Sequence, residues 1–303
     1  MPRSEYRDIT GILLLDKPQG LSSNQALQRV RRLFNARKAG HTGSLDPLAT
    51  GLLPICFGEA TKIAGHLLGS RKAYAAECRL GATTDTDDAD GQIVSIRPIP
   101  GLGAAEIEAA LGALRGRIVQ TPPVYSAIKQ GGVALYKRAR RGEDVEVPSR
   151  QVDVYRLDVT ALAADRLSFI VECGSGTYVR SLARDLGERL GCGAHLSALR
   201  RLWVEPFTQP VMYRLEQLQE LVDESGRAAA DALLLPLESG LASLPKLLVD
   251  SEQARQLRQG KRISQSVLSA CELCCAIDGE GRLVALAQVD TAGEVQVRRG
   301  FSG

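Results

Sequence analysis

The sequence predicts an α+β protein with one large mixed domain and a small β-rich unit at its C-terminal end. Three observations carry that expectation. At 303 residues, the chain is long enough for one large domain plus a small one. Its apolar residues switch between a helical period, as in Ala26, Leu27, Val30, Leu33 and Phe34, and strand alternation, as in Val152–Val159 and Leu167–Cys173. After Lys246, short apolar runs are joined by Gly-bearing turns.

The elements follow in order. Ile12–Leu15 is a short apolar run that ends in Asp16-Lys17-Pro18-Gln19-Gly20, a strand and a turn. Ser22 and Ser23 are caps for a helix running to about Phe34, with arginines on its outer face. Gly40-His-Thr-Gly-Ser-Leu-Asp-Pro-Leu-Ala-Thr-Gly51 is too rich in glycine for a helix and lacks strand alternation, so it is a shaped loop carrying one carboxylate, Asp46. Glu59–Leu68 reads as a short helix, and Tyr74–Leu80 as a strand leading into the acidic segment 81–91. That segment opens like a calcium loop but has Asp90 where the turn glycine belongs and Ile96 where the terminal glutamate belongs, so it is taken as a surface loop.

Ala104–Leu114 is an amphipathic helix, 120–132 an extended and then turning segment, and Tyr136–Arg141 a basic helical fragment. Val152–Val159 and Leu167–Cys173 pair around an Ala163–Asp165 turn, and Thr177–Leu190 is a helix. His195–Val204 carries Arg200, Arg201 and Trp203, placed to face a polyanion. Pro236 and Pro245 punctuate a linker, followed by a helix near Ser251–Gln259 and strands near 273–277, 283–288 and 295–298. A unit of about 58 residues is small for a free-standing core, so it is expected to pack on the main domain.

Composition narrows the function classes. A charged fraction of 24% and a hydrophobic fraction of 44% describe a soluble globular chain, and no apolar run approaches the roughly 20 residues of a membrane span. The polar N-terminus and the odd set of seven cysteines point to the cytoplasm, with reduced, apolar cysteines. Cys271-x-x-Cys274-Cys275 supplies half a zinc site at most, since no second Cys or His pair follows. Two stretches hold Lys and Arg and no acid: Lys17–Leu45 with six and Arg115–Arg141 with seven. They suggest an anionic partner such as nucleic acid, bound with a steep salt dependence. No phosphate-loop, nucleophile-elbow or HExxH motif is present.

Four segments stand together: Gly11-Ile-Leu-Leu-Leu-Asp-Lys-Pro-Gln-Gly20, the Asp46 loop, Thr121-Pro-Pro-Val-Tyr-Ser-Ala-Ile-Lys129 and Gly174-Ser-Gly-Thr-Tyr178-Val-Arg180. In this order and over essentially the whole chain they resemble the bacterial TruB family of tRNA pseudouridine synthases, which act on the T-loop uridine (position 55). The resemblance implies a mixed, mainly antiparallel sheet flanked by helices. It divides the chain into a catalytic domain over 1–245 and a PUA-like RNA-binding module over 246–303. It implies tRNA, through its T stem-loop, as the partner of a monomeric enzyme that needs no cofactor and no metal.

By the same resemblance Asp46 is the essential carboxylate, Arg180 the arginine that pairs with it, and Tyr74 the ring that stacks on the flipped base. Tyr178 lines the pocket and takes part in late proton handling, and His41 lies near the RNA backbone. Lys17 and Lys62 contact phosphate or the loop, and Leu199 walls the pocket. The rival reading is a non-catalytic tRNA-binding or RNA-folding protein, which the basic stretches and the tail would serve equally.

Overall fold

The computed structural model describes residues 6–69, 71–126, 128–139, 141–143, 145–265 and 269–301. Arg140 of the second basic stretch lies outside these residues.

An eight-stranded sheet organises the main body, and seven strands follow the order Gly11–Lys17, Thr50–Phe57, Ala194–Val204, Lys72–Leu80, Arg166–Cys173, Arg150–Leu162, Gly116–Gln120. Ala39–His41 adds to Thr50–Phe57 as the eighth. Every pairing is antiparallel except that of Ala194–Val204 with Thr50–Phe57. This is the mixed, mainly antiparallel sheet that the resemblance implied.

Side-chain alternation explains how helices cover it. Along Lys72–Leu80, Tyr74, Ala76, Cys78 and Leu80 enter the main core, while Ala75, Glu77 and Arg79 point away from it. Helices Ser23–Leu33, Ala104–Gly112, Val179–Arg189 and Leu215–Asp231 press their apolar stripes on that core. Ser22 caps the first by accepting from the Gln25 amide, and the Gln25 side chain accepts from the Ser22 amide in return. The Leu215–Asp231 helix was passed over in the sequence.

The Gly11–Lys17 and Thr50–Phe57 strands are buried on both faces, which is why they read as unbroken apolar runs. Their second face holds Ile12, Leu14, Leu52 and Cys56, which share a core with Leu237, Leu241, Cys275 and Leu286. The C-terminal unit therefore packs on the main body, as its size required. It is a five-stranded sheet in the order Lys246–Leu248, Cys271–Ile277, Leu283–Val289, Glu294–Gly300, Ile263–Ser264, with helix Ser251–Arg258 beside it.

Three sequence expectations need correction. The segment between Pro236 and Pro245 is no free linker: Leu235 exchanges backbone hydrogen bonds with Ile12, and Leu237, Gly240 and Leu241 are buried. The 81–91 segment is no simple surface loop, because Thr84 and Asp88 are buried. Arg201 faces no polyanion from the surface, since only 1% of it is exposed. Arg200, by contrast, pairs with Asp16 at 2.8 Å in a half-buried site.

The sheet's one parallel junction is close-packed. A Cβ on Gly51, whose φ is +92°, would lie 2.2 Å from the Arg201 carbonyl oxygen. Gly51→Ala is expected to destabilise the fold by about 2 kcal/mol or more. Denaturant unfolding measures it, and a loss below about 0.5 kcal/mol would contradict the packing described.

Candidate active site

The Asp46 loop is built from backbone contacts that short, hydroxyl-bearing and glycine residues permit. The Ser23 hydroxyl, at the start of the first helix, accepts from the Leu45 amide at 2.7 Å and donates to the Leu45 carbonyl at 3.0 Å. The Gly20 amide donates to the Pro47 carbonyl at 2.8 Å, and the Ala49 amide to the Asp46 carbonyl at 3.1 Å. Gly43 takes a φ of +88°, a left-handed turn that places the next residues over the sheet. Asp46 is thus presented from a loop fixed on both flanks.

Arg180 meets it from the first turn of helix Val179–Arg189. Its Nε lies 3.0 Å from Asp46 Oδ2. That nitrogen makes no aligned hydrogen bond, so the contact is one of charge against charge. The rest of the guanidinium is fully engaged. Nη1 donates to the Thr86 carbonyl at 3.0 Å and lies 3.4 Å from Asp88 Oδ2, and Nη2 donates to the Tyr125 carbonyl at 2.9 Å. The Arg180 and Asp88 side chains are each 5% exposed, whereas that of Asp46 is 43% exposed. The pair is therefore anchored on its arginine side and open on its carboxylate side.

A cavity of about 330 Å³ opens in front of Asp46. Tyr74, Tyr178, Arg180 and Leu199 line it, so five residues singled out in the sequence come together. Tyr178 is the N-cap residue of the helix, and the Gln120 side chain clamps its backbone, donating to its carbonyl at 3.1 Å and accepting from its amide at 2.8 Å. The Arg150 guanidinium lies 5.0 Å from the Tyr178 ring centroid.

The other three sit elsewhere. Lys17 is fully buried behind the loop and donates to the Pro18 carbonyl at 2.8 Å. His41 lies on the short strand beside the loop, with a buried Nδ1 that finds no hydrogen-bond partner. Lys62 is outside the cavity: it pairs with Glu59 at 2.5 Å, donates to the Gly300 carbonyl at 3.0 Å and lies over the Phe301 ring. It joins the main body to the C-terminal unit.

Sequence reasoning missed Lys72 and Arg150, which also line the cavity, and Asp88 behind Arg180; Arg201, which it set on a surface facing a polyanion, lines the cavity too. Of the three missed residues only Asp88 left a signal. It stands in the acidic 81–91 segment, but its partner is an arginine far along the chain, which no local pattern shows.

The electrostatics follow from this packing. Burial raises the Asp46 pKa above its ordinary 3.8, and the nearby Asp88 and Asp90 add to the rise; Arg180 and Lys17 offset it in part. Lys17 is pushed down to about 8 by burial, against the pull of Asp46. Lys72 is pushed down to about 8 by burial and by Arg201. Burial raises the Tyr74 phenol and lowers the His41 imidazole. The site can hold an ionised carboxylate against an aromatic floor within a cationic wall. Among the described residues no group of three or more His, Cys, Asp or Glu could hold a metal ion. All seven cysteines are free, and six of them are buried.

Comparisons with known proteins agree along the chain. The model for the N-terminal domain of the TruB family pseudouridylate synthases matches residues 31–179. That for the C-terminal domain of tRNA pseudouridylate synthase B matches residues 180–242. The chain is 56% identical over 303 residues to tRNA pseudouridine synthase B of Xanthomonas axonopodis pv. citri (strain 306), covering 100% of this chain and 97% of that protein. It is 52% identical over 302 residues to the protein of the same name from Xylella fastidiosa (strain Temecula1 / ATCC 700964), covering 100% and 99%. A chain of a Cbf5-Nop10-Gar1 complex superposes with a TM-score of 0.76 at 25% identity, covering 96% of this chain and 85% of that one. A chain of an H/ACA RNP bound to a substrate RNA containing 2'-deoxyuridine superposes with a TM-score of 0.75 at 23% identity, covering 97% and 85%, a likeness of fold.

The buried lysines make a stability prediction. A lysine whose folded pKa is about 8 and whose unfolded value is 10.5 binds fewer protons folded than unfolded between those two values. Stability from this group therefore rises with pH through that window, and at pH 7 the buried charge is a cost. Lys17→Met is expected to raise the thermal midpoint at pH 7, with the gain shrinking towards pH 10. A lower midpoint at pH 7 would contradict this account of Lys17.

Proposed function

The chain belongs to the TruB family of pseudouridylate synthases, and from that premise we propose that it converts the T-loop uridine (position 55) of tRNA to pseudouridine. The N1–C1′ bond breaks, the uracil turns, and a C5–C1′ bond forms. C5 gives up its proton and N1 gains one, so the net change is an isomerisation. The observation that carries the reading is the Asp46 carboxylate, pinned by Arg180 at 3.0 Å and facing a cavity that also holds Tyr74 and Tyr178.

Three routes begin at such a carboxylate: attack on the sugar, attack on the base, or removal of a sugar proton. Each needs Asp46 ionised. Arg180 supports that form by charge and leaves one face of the carboxylate open to the substrate. Tyr74 is the stacking floor for the uracil, Tyr178 and Leu199 are the opposing wall, and His41 stands beside the RNA backbone. Extruding the base costs roughly a few kcal/mol, offset by stacking and hydrogen bonding in the cavity. Shape and phosphate contacts to the T stem-loop supply the remainder. In this reading residues 1–245 carry the chemistry, the PUA-like unit over 246–303 adds RNA contact, and the protein acts as a monomer in the cytoplasm. No helix among the described residues is long and apolar enough to cross a membrane.

The test is tritium release from unmodified tRNA carrying [5-³H]uridine. One tritium per tRNA, lost when the T-loop uridine is replaced, is the expected result. A folded protein that binds this tRNA and releases none would be a non-catalytic tRNA-binding protein. The acid limb of kcat/KM is expected above the ordinary Asp pKa of 3.8, because the site raises the pKa of Asp46. A limb at or below 3.8 would contradict the role given to that carboxylate.

A further inference from the structure

Arg201 was expected at the surface and lies in the core of the site. Only 1% of it is exposed, and it is the bulkiest of the fully buried side chains. It sits in Ala194–Val204 opposite Tyr74 on one side and opposite Gly51 on the other, at the sheet's one parallel junction. Register shifts lie on both sides of it, between Leu196 and Ala198 and between Arg201 and Trp203. Such irregularities re-aim a side chain, and here Leu199 and Arg201 both reach the cavity.

Its guanidinium bonds to two separate parts of the site and faces a third. Nε donates to the Leu52 carbonyl at 2.6 Å, on the strand that leaves the Asp46 loop. Nη2 donates to the Gly43 carbonyl at 3.2 Å, within the loop three residues before Asp46. The third neighbour is Tyr74, directly opposite on Lys72–Leu80, whose phenol pKa the guanidinium lowers against the larger opposing effect of burial. Directly opposed strand residues have Cβ atoms about 5 Å apart, which suits that contact. Among the described residues no carboxylate lies within 4.0 Å of Arg201, so its charge is balanced only by these dipoles and by whatever enters the cavity.

We propose that Arg201 is a positioning residue, which fixes the Tyr74 hydroxyl and the Asp46 loop in one geometry by holding both from a single guanidinium. The proposal rests on the reading of Asp46 and Tyr74 given above. It assigns Arg201 to the chemical step and not to RNA affinity, and a buried fork that bonds two carbonyls while facing a phenol is a task that lysine cannot fill.

The test uses the full chain with Arg201→Gln, Arg201→Lys, Tyr74→Phe and the two double variants. Single-turnover tritium release and tRNA affinity are measured at two salt concentrations. Arg201→Gln is expected to slow release by roughly ten- to a hundredfold with affinity within about twofold of the parent. Each double variant is expected to be about as slow as its slower parent, because the two residues act as a unit. Multiplying effects would overturn the proposal. So would weakened affinity, a salt slope lower by about one and an unchanged rate on bound tRNA, the signature of a phosphate contact. If Arg201→Gln does not fold, as judged by its thermal midpoint, Arg201→Lys carries the same cycle.

Wild-type release in the same series reports separately on the proposed function. The alkaline ultraviolet titration of Tyr74, isolated by subtracting Tyr74→Phe, reads the contact without any turnover. Loss of the Arg201 charge is expected to move that phenol to higher pH, and an unmoved phenol would also overturn the proposal.

Discussion

The Arg180 guanidinium is the constraint on which the rest of the site depends. A buried arginine without partners would cost several kcal/mol, so the surrounding chain must converge on it. Four segments do: the Asp46 loop, the Thr86–Asp88 turn, the carbonyl of Tyr125 and the helix that carries Arg180 itself. They are far apart in the chain, and the eight-stranded sheet brings them together. Asp88 is as buried as Arg180, and Asp46 is the partner that stays open. One carboxylate neutralises the cation from behind while the other is held ready in front. Burial raises the Asp46 pKa, with Asp88 and Asp90 adding to the rise, so the ionised form rests on the opposing pull of Arg180 and Lys17.

Much of this was legible in the sequence, for local physical reasons. The first helix announced its start through Ser22 and its outer face through arginines, and the paired strands 150–162 and 166–173 announced themselves by alternation. Asp46 stood out locally, as the one carboxylate in a loop of glycines, hydroxyls and a proline, whereas Tyr74, Tyr178, Arg180 and Leu199 were singled out through the family resemblance of the segments that carry them. The structure places all five at one cavity.

What was not legible depends on distance in the fold. Arg201 and its neighbour Arg200 look alike in sequence, yet register shifts bury the first and leave the second paired with Asp16. The segment around Pro236 looked like a linker because nothing local shows that Leu235 pairs with Ile12. The basic stretches lack acids in sequence but not in space: Arg37 pairs with Asp8, Arg115 with Glu108, Arg117 with Asp153 and Arg138 with Glu143. RNA phosphates must compete with those surface pairs, each worth little, so the stretches still favour an anionic partner while presenting less free charge than a residue count suggests.

The central claim is that one carboxylate, held by Arg180, performs the chemistry and does not provide the affinity. Single-turnover release of tritium from [5-³H]uridine tRNA, with wild type and Asp46→Asn side by side and tRNA affinity measured for both, tests it most directly. The account predicts release by wild type alone, with affinity retained in the variant. Release by Asp46→Asn would contradict it, and loss of both release and binding would make Asp46 a structural residue.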